Sequence, residues 1–273
     1  MKIIVSHDVD HITALEHWRD LYIPKSIVRS SIELAKGKIT AAEYGLRFKE
    51  IALNKFHNLD ELMRFDREHG VHSMFFLGVN QGLGLCYSLK NAASWAKKIA
   101  ENGFEVGVHG IEFNDPDGVK KEFNLFAQRS GRNDFGIRMH YLRMSNDTIQ
   151  YLDDAGYAFD TSVYQIENPY KVGDLWEFPL HIMDTYVFNH GCPWQNRTHQ
   201  QAFEATVQTI ESCREKGINY LTVLLHDRYF SSAFQSWQQW YVQVIRYLVD
   251  NAFEFINYRQ AIDELENSSK NGS

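Results

Sequence analysis

Cysteine is scarce in this 273-residue chain: Cys86, Cys192 and Cys213 are odd in number, far apart, and form no Cys-x-x-Cys pair. That argues against a zinc–thiolate site and fits a reducing compartment, so a cytoplasmic protein is expected. Proline is scarce too, at five residues, and no linker rich enough to mark a domain boundary appears. No apolar run reaches about 18 residues, and the chain enters a strand at once without a basic segment before an apolar one. Neither a membrane span nor a secretory leader is therefore expected. Basic residues form no block and the net charge is −7, which argues against a nucleic-acid or anionic-membrane surface. The glycine-rich loop from Gly78 to Gly84 lacks a following Gly-Lys-Ser/Thr and is no P-loop.

What is present is ordinary globular material, 44% hydrophobic and 23% charged, with aromatics at 14%. Ile3-Ile4-Val5 reads as a buried strand, because β-branched residues fit a covered pleated surface. Ser6-His7-Asp8-Val9-Asp10-His11 follows. Asp8 and Asp10 are two residues apart and share a strand face, where two like charges need a cation or a proton between them. His7 falls on the opposite face, and His11 runs on into the loop as a candidate ligand.

Residues 13–56 are helical in tone and too long for an ordinary connection, so they are expected to form an insertion at the rim of the site. Asn58 and Glu61 predict a capped helix ending before Gly70. Further strands are predicted at Val71–Leu77 (with His72 inside), Phe104–Val108, Phe135–Arg138, Tyr157–Phe159, Trp176–Leu180, Ile182–Asp184, Tyr220–Leu225 and Phe253–Ile256. Helices alternate with them, including one opened by Thr198 and Gln201 with Phe203, Val207, Ile210 and Cys213 on its apolar face. The last helix is expected from Tyr258 to about Leu265, and Glu266–Ser273 is expected to be a disordered tail. Short apolar strands alternating with helices mean parallel strands with crossovers, in a barrel or a doubly wound sheet, as one domain over residues 1–265.

Ionisable residues recur where these strands end: Asp8 and Asp10, His109, Arg138 with His140, Asp160, and His226 with Asp227. Strand ends are where ligands collect in parallel α/β folds, and recurrence over five strands points to one site. Trp176 and Trp194 are candidates to stack on sugar rings.

In order and spacing this set resembles the polysaccharide deacetylases (carbohydrate esterase family 4). Ser6-His7-Asp8-Val9-Asp10 is similar to the family's first motif, Glu105 to Phe113 lies where the second falls, Arg138-Met139-His140-Tyr141 is similar to the third, and Leu224-Leu225-His226 to the late Leu-x-His element. The resemblance implies a distorted (β/α) barrel of about seven parallel strands with a helical insertion near the N-terminus. It implies a divalent metal, zinc with cobalt or nickel as alternatives, held by Asp10 and His109. Asp8 would be the base, Arg138 its partner, the backbone N–H near Tyr141 an oxyanion donor, and His226 the acid, kept cationic by Asp227 or another carboxylate. Asp160, Asp227, Trp176 and Trp194 are the expected substrate-binding residues.

The chain departs from the family pattern at Phe113, which cannot bind metal, and where His140 replaces a proline. Glu112, Asn114 and His140 are the candidates for a third ligand. The activity implied is removal of an N-acetyl group from a sugar or oligosaccharide. The alternatives are a metal-free carbohydrate-binding relative of the same fold and an amidohydrolase on a small non-sugar C–N substrate.

Overall fold

The computed structural model describes residues 1–271, with side chains through Ser268. Strand β1 (Lys2–Val9) leads into an insertion of two helices, α1 (Tyr22–Ala35) and α2 (Ala41–Ala52). Helix α2 is opened by a reciprocal capping box between Thr40 and Glu43. Helix α3 (Leu59–Glu68) and strand β2 (Met74–Leu77) follow, then α4 (Leu89–Glu101), β3 (Glu105–Gly110), α5 (Pro116–Ser130) and β4 (Ile137–Met139). Next come α6 (Thr148–Ala155), β5 (Phe159–Asp160), β6 (Tyr170–Val172), β7 (Leu175–Glu177), β8 (Ile182–Met183) and α7 (Asp184–Asn189). The chain ends with α8 (His199–Glu215), β9 (Tyr220–Leu224), α9 (Gln235–Asp250) and α10 (Tyr258–Asn271).

One sheet of nine strands runs in the order β6-β7-β5-β4-β3-β2-β1-β9-β8. Every neighbouring pair is parallel except the β6–β7 hairpin. The two borders of this sheet belong to one stretch of chain. β7 lies against β5, β8 lies against β9, and the stretch between them, broken at Pro179, bridges Leu180 to Tyr164 just beyond β5. The sheet is thus curled into an interrupted barrel, with β6 outside it. Proline cannot donate to a ladder, so the closing strand is necessarily discontinuous there.

Alternation along β1 separates two cores. Ile3, Val5 and Val9 join the layer between sheet and helices, with Leu62, Tyr241 and Val244. Ile4 joins an interior cluster of Met74, Phe76, Phe159, Phe178, Tyr220 and Tyr258, which α10 closes from below. On the same inward face, a Cβ on Gly107 would lie 2.6 Å from Met74 Cε and 2.7 Å from Gly136 O, so a larger residue there would push β3 from β4.

Several expectations need correction. Residues 253–256 form only a single bridge, Phe255 to Ile3. β2 pairs β1 only from Ser6 onward, and this segment fills the edge left free before it. Asn58 does not cap α3; its amide group bonds Arg228 O instead. The buried stripe of α8 is Ala202, Thr206, Ile210 and Cys213, with Phe203 and Val207 half-buried beside it. His72 is exposed rather than interior. The last helix continues through the predicted tail to Asn271, while Gly272 and Ser273 lie outside the described residues. Among the described residues, no helix is long and apolar enough to cross a membrane.

Candidate metal and catalytic centre

β1, β3, β4, β8 and β9 all end at one mouth of the barrel, and each delivers a group that meets there. Asp10 follows β1 and His140 follows β4, while His109 is the fifth residue of β3. Asp10 Oδ1 lies 3.1 Å from His109 Nε2 and 3.3 Å from His140 Nδ1, and the two ring nitrogens are 3.0 Å apart. The backbone decides what those nitrogens carry. His109 Nδ1 is 3.0 Å from Arg138 O, and His140 Nε2 is 3.1 Å from Leu83 O. In its neutral form, the one that binds metal, each ring therefore donates its N–H away from the cluster and turns a lone pair toward Asp10.

With both rings neutral, two lone pairs and a carboxylate oxygen converge with no proton among them, a conflict that a divalent cation would resolve. Two imidazoles and one carboxylate also suit zinc, cobalt, nickel or iron, so the donor set fits the metal that the resemblance implies. Burial works against Asp10 ionising, yet His140, His109 and His226 hold it well below the usual carboxylate range. Burial likewise opposes a charged His140, and Asp10 prevails to raise it.

Two further units flank the cluster. Asp8, inward on β1, takes Arg138 NH1 at 3.0 Å on Oδ1 and keeps Oδ2 3.9 Å from His109 Nε2. Arg138 is sealed and anchored by Thr161 O, Thr161 Oγ1 and Tyr258 OH. On the opposite wall, His226 follows β9, with Nε2 3.7 Å from Asp10 Oδ2. Its Nδ1 lies 2.8 Å from Asp184 Oδ1, and its backbone N–H donates to Asp184 Oδ2 at 2.8 Å. Burial opposes a charge on this ring, but Asp184 raises its pKa to about 10.

The cluster opens into a cavity of about 450 Å³ lined also by Tyr22, Arg29, Met183, Cys192 and Tyr229. Tyr141 lines it as well. It is exposed, sits against the His140 ring at 4.0 Å, and has a left-handed backbone (φ 59°). Non-glycine residues held in that region cost of order 1–3 kcal/mol and gather at functional sites. A wider groove of about 630 Å³ lies between α8 and α9, and its lining residues include none of the clustered groups.

Of the predicted site residues, the structure brings together Asp8, Asp10, His109, Arg138, His140, Tyr141 and His226. Glu112 instead faces Asn80, and Asn114 is exposed. Phe113 packs on the outer core beneath the Arg143 guanidinium. Asp227 does not partner His226; it accepts the Asn58 N–H, and burial pushes it up to about 8. Asp160 is sealed against Ser162 and Glu177, whose carboxyl is pushed well above the usual range by burial and by Asp160. Trp176 is buried in the interior cluster. Trp194 lines a separate apolar groove of about 500 Å³ that meets the cavity at Arg29. His11 lines the cavity, but its Nδ1 is engaged by His17.

Asp184 is the residue that sequence reasoning missed. It carries the same signal as the others, a carboxylate directly after a short apolar strand.

No known protein-family profile matches this chain, and no curated protein sequence does. Solved structures do. One from Mycobacterium smegmatis, named a polysaccharide deacetylase, superposes with a TM-score of 0.68 over 98% of this chain and 90% of that one, at 16% identity. The chain has the polysaccharide deacetylase fold. A second structure under that name, from Pseudomonas aeruginosa, gives a TM-score of 0.59 at 13% identity, covering 79% of this chain and 75% of its own. An allantoinase gives 0.62 at 11% identity, covering 95% and 87%. At these identities the likeness is one of fold. Within the polysaccharide deacetylase fold, the groups described above occupy one mouth of the barrel, and what they do has to be argued from their own chemistry.

Proposed function

We propose that this protein is a metal-dependent hydrolase that removes an N-acetyl group from a sugar or oligosaccharide. The observation that carries the reading is the convergence of the Asp10, His109 and His140 ligand atoms, with Asp8–Arg138 on one side and His226–Asp184 on the other. Asp10, His109 and His140 would hold the ion, so His140 takes the place that Phe113 leaves vacant. A bound divalent cation polarises an acetamide carbonyl and lowers the pKa of water.

The rest falls to the chain's own side chains. Asp8 Oδ2 is the free carboxylate oxygen at the cluster and receives a proton from the attacking water. Arg138 fixes the other oxygen and so aims the base. His226 protonates the departing amine; its charge is maintained by Asp184, on the far side of the ring from the cavity. The Tyr141 N–H is the oxyanion donor, and its left-handed backbone is the feature that would aim it.

Two other readings are weaker. A metal-free binding protein rests on Phe113, and His140 beside Asp10 offers the donor that Phe113 lacks. A small-amide hydrolase shares the fold with an allantoinase and uses the same groups, so substrate choice has to separate it from the first.

The test is a metal count on dialysed protein loaded with zinc, cobalt or nickel, beside acetate release from N-acetylated sugars and ammonia or amine release from small amides. Asp10→Ala and His140→Ala should each lose one equivalent of metal, and acetate release with it. Full metal retention in His140→Ala would overturn the ligand assignment, and turnover of small amides alone would overturn the sugar.

A further inference from the structure

A second group of ligand atoms stands on the rim, apart from the first. The loop after β1 carries His17 and Asp20, and the loop after β2 brings Cys86 to them. One ligand atom from each lies within 4.8 Å of the other two. Asp20 Oδ2 is their hub, 2.7 Å from His17 Nδ1 and 3.2 Å from Cys86 Sγ.

Two of the three ligands are oriented from outside the group. Asp20 Oδ1 accepts the Tyr22 N–H at 2.9 Å, which leaves Oδ2 for the cluster. His17 is sealed from solvent, and its Nε2 lies 3.0 Å from His11 Nδ1, which leaves Nδ1 for the cluster. Partners of this kind fix the tautomer and rotation of metal ligands. Cys86 is half-buried and free of any disulfide.

We propose that His17, Asp20 and Cys86 form a second metal site, separate from the Asp10 cluster, for a thiophilic divalent cation such as zinc or cobalt; cysteine spacing argued against a zinc–thiolate site, but the fold brings a histidine and a carboxylate to a single thiol. Binding forms a metal–sulfur bond and breaks the Cys86 S–H bond, and the proton leaves to solvent. A thiolate and a carboxylate then balance the ion's two charges, and neutral His17 supplies the third donor. Magnesium and calcium are disfavoured by the sulfur.

The ion would join two loops that already touch through Glu16 Oε1, which accepts the Ser88 N–H and an Asn91 amide N–H. The loop that carries Cys86 also carries Leu83, whose carbonyl orients His140. The second ion therefore stiffens the wall that holds the first site's third ligand.

The proposal stands apart from the hydrolase reading, and its readout is optical. The full-length Asp10→Ala chain, stripped of metal and titrated with cobalt(II), should bind one equivalent, show thiolate-to-cobalt charge-transfer absorption in the near ultraviolet, and release a proton. Adding Cys86→Ser should abolish the band and the equivalent, whereas adding Cys192→Ser should leave both. Should Asp10→Ala fail to fold, the wild-type chain beside its Cys86→Ser variant gives the same reading, as loss of the band and of one equivalent. Cobalt bound without the band, a band that survives Cys86→Ser, or no cobalt bound by folded protein overturns the proposal.

Discussion

His7 and Asp8 are consecutive residues of one strand, and they serve opposite faces of the barrel wall. His7 points out into the helical layer. Its Nε2 lies 2.8 Å from Asp66 Oδ2 and its Nδ1 3.0 Å from Leu225 O, while Ser73 and Tyr241 donate to the Asp66 oxygens at 2.6 and 2.8 Å. Both side chains of that pair are sealed from solvent. Asp8 points in, toward a cluster of similar composition in which lone pairs face one another across a cavity. Histidine and aspartate occur on both sides, so residue type does not separate a structural network from a candidate reactive one. Saturation does: the outer network has an acceptor for every donor, and the inner one lacks a cation's worth of positive charge.

The contrast can be broken by substitution. The largest effect is expected from Asp8→Asn, which keeps the shape and removes the proposed base; kcat for acetate release should fall by roughly 100- to 10,000-fold with bound metal unchanged. An unchanged kcat would place the base elsewhere.

The mirror experiment is Asp66→Ala, which strips the outer network of its hub. Removing one partner of a buried pair typically costs about 3–5 kcal/mol, so denaturant unfolding should move by that order while metal content and kcat of the folded fraction hold. Loss of metal in Asp66→Ala would mean that the two faces are not independent.

A smaller, pH-dependent effect tests an intermediate case. Glu122 on α5 is buried and accepts the Ile111 N–H just past the end of β3. Burial raises its pKa to about 7 from an ordinary 4.5. The folded state then holds a proton that the unfolded chain has released. Stability attributable to this residue should therefore fall as pH rises from about 4.5 to 7 and level off above, and Glu122→Gln should flatten that slope. A slope that is unchanged in Glu122→Gln, or a difference between the two proteins of opposite sign, would refute it.

Much of this arrangement was legible in the sequence because parallel strands in a closed sheet announce themselves as short apolar runs, and their C-terminal ends share one mouth. Asp8, Asp10, His109, Arg138 and His226 follow from that rule alone. His140 followed the same rule, but as a ligand it was legible only as one of three candidates, since Glu112 and Asn114 lie three and five residues after His109. What decides among them is the direction of the chain after β3, where Glu112 and Asn114 leave the barrel wall. Asp184 followed the strand-end rule, but β8 is two residues long, and so short a run carries little signal. Asp160, Asp227 and Trp176 followed the same signals and are sealed, because a strand end or an aromatic ring can face packing as readily as a cavity. The carbonyls of Arg138 and Leu83, which set the two tautomers, leave no trace in residue identity.

The break at Pro179 has a kinetic consequence. The barrel is riveted shut there by two amides, Leu180 N–H to Val163 O and Gln165 N–H to Leu180 O, so these should exchange with deuterium sooner than the ladders of β1. Four residues past Leu180 stands Asp184, which orients His226. An opening event at the seam would loosen the imidazole's carboxylate partner, and the lifetime of the closed seam would set how long the proposed proton donor stays cocked.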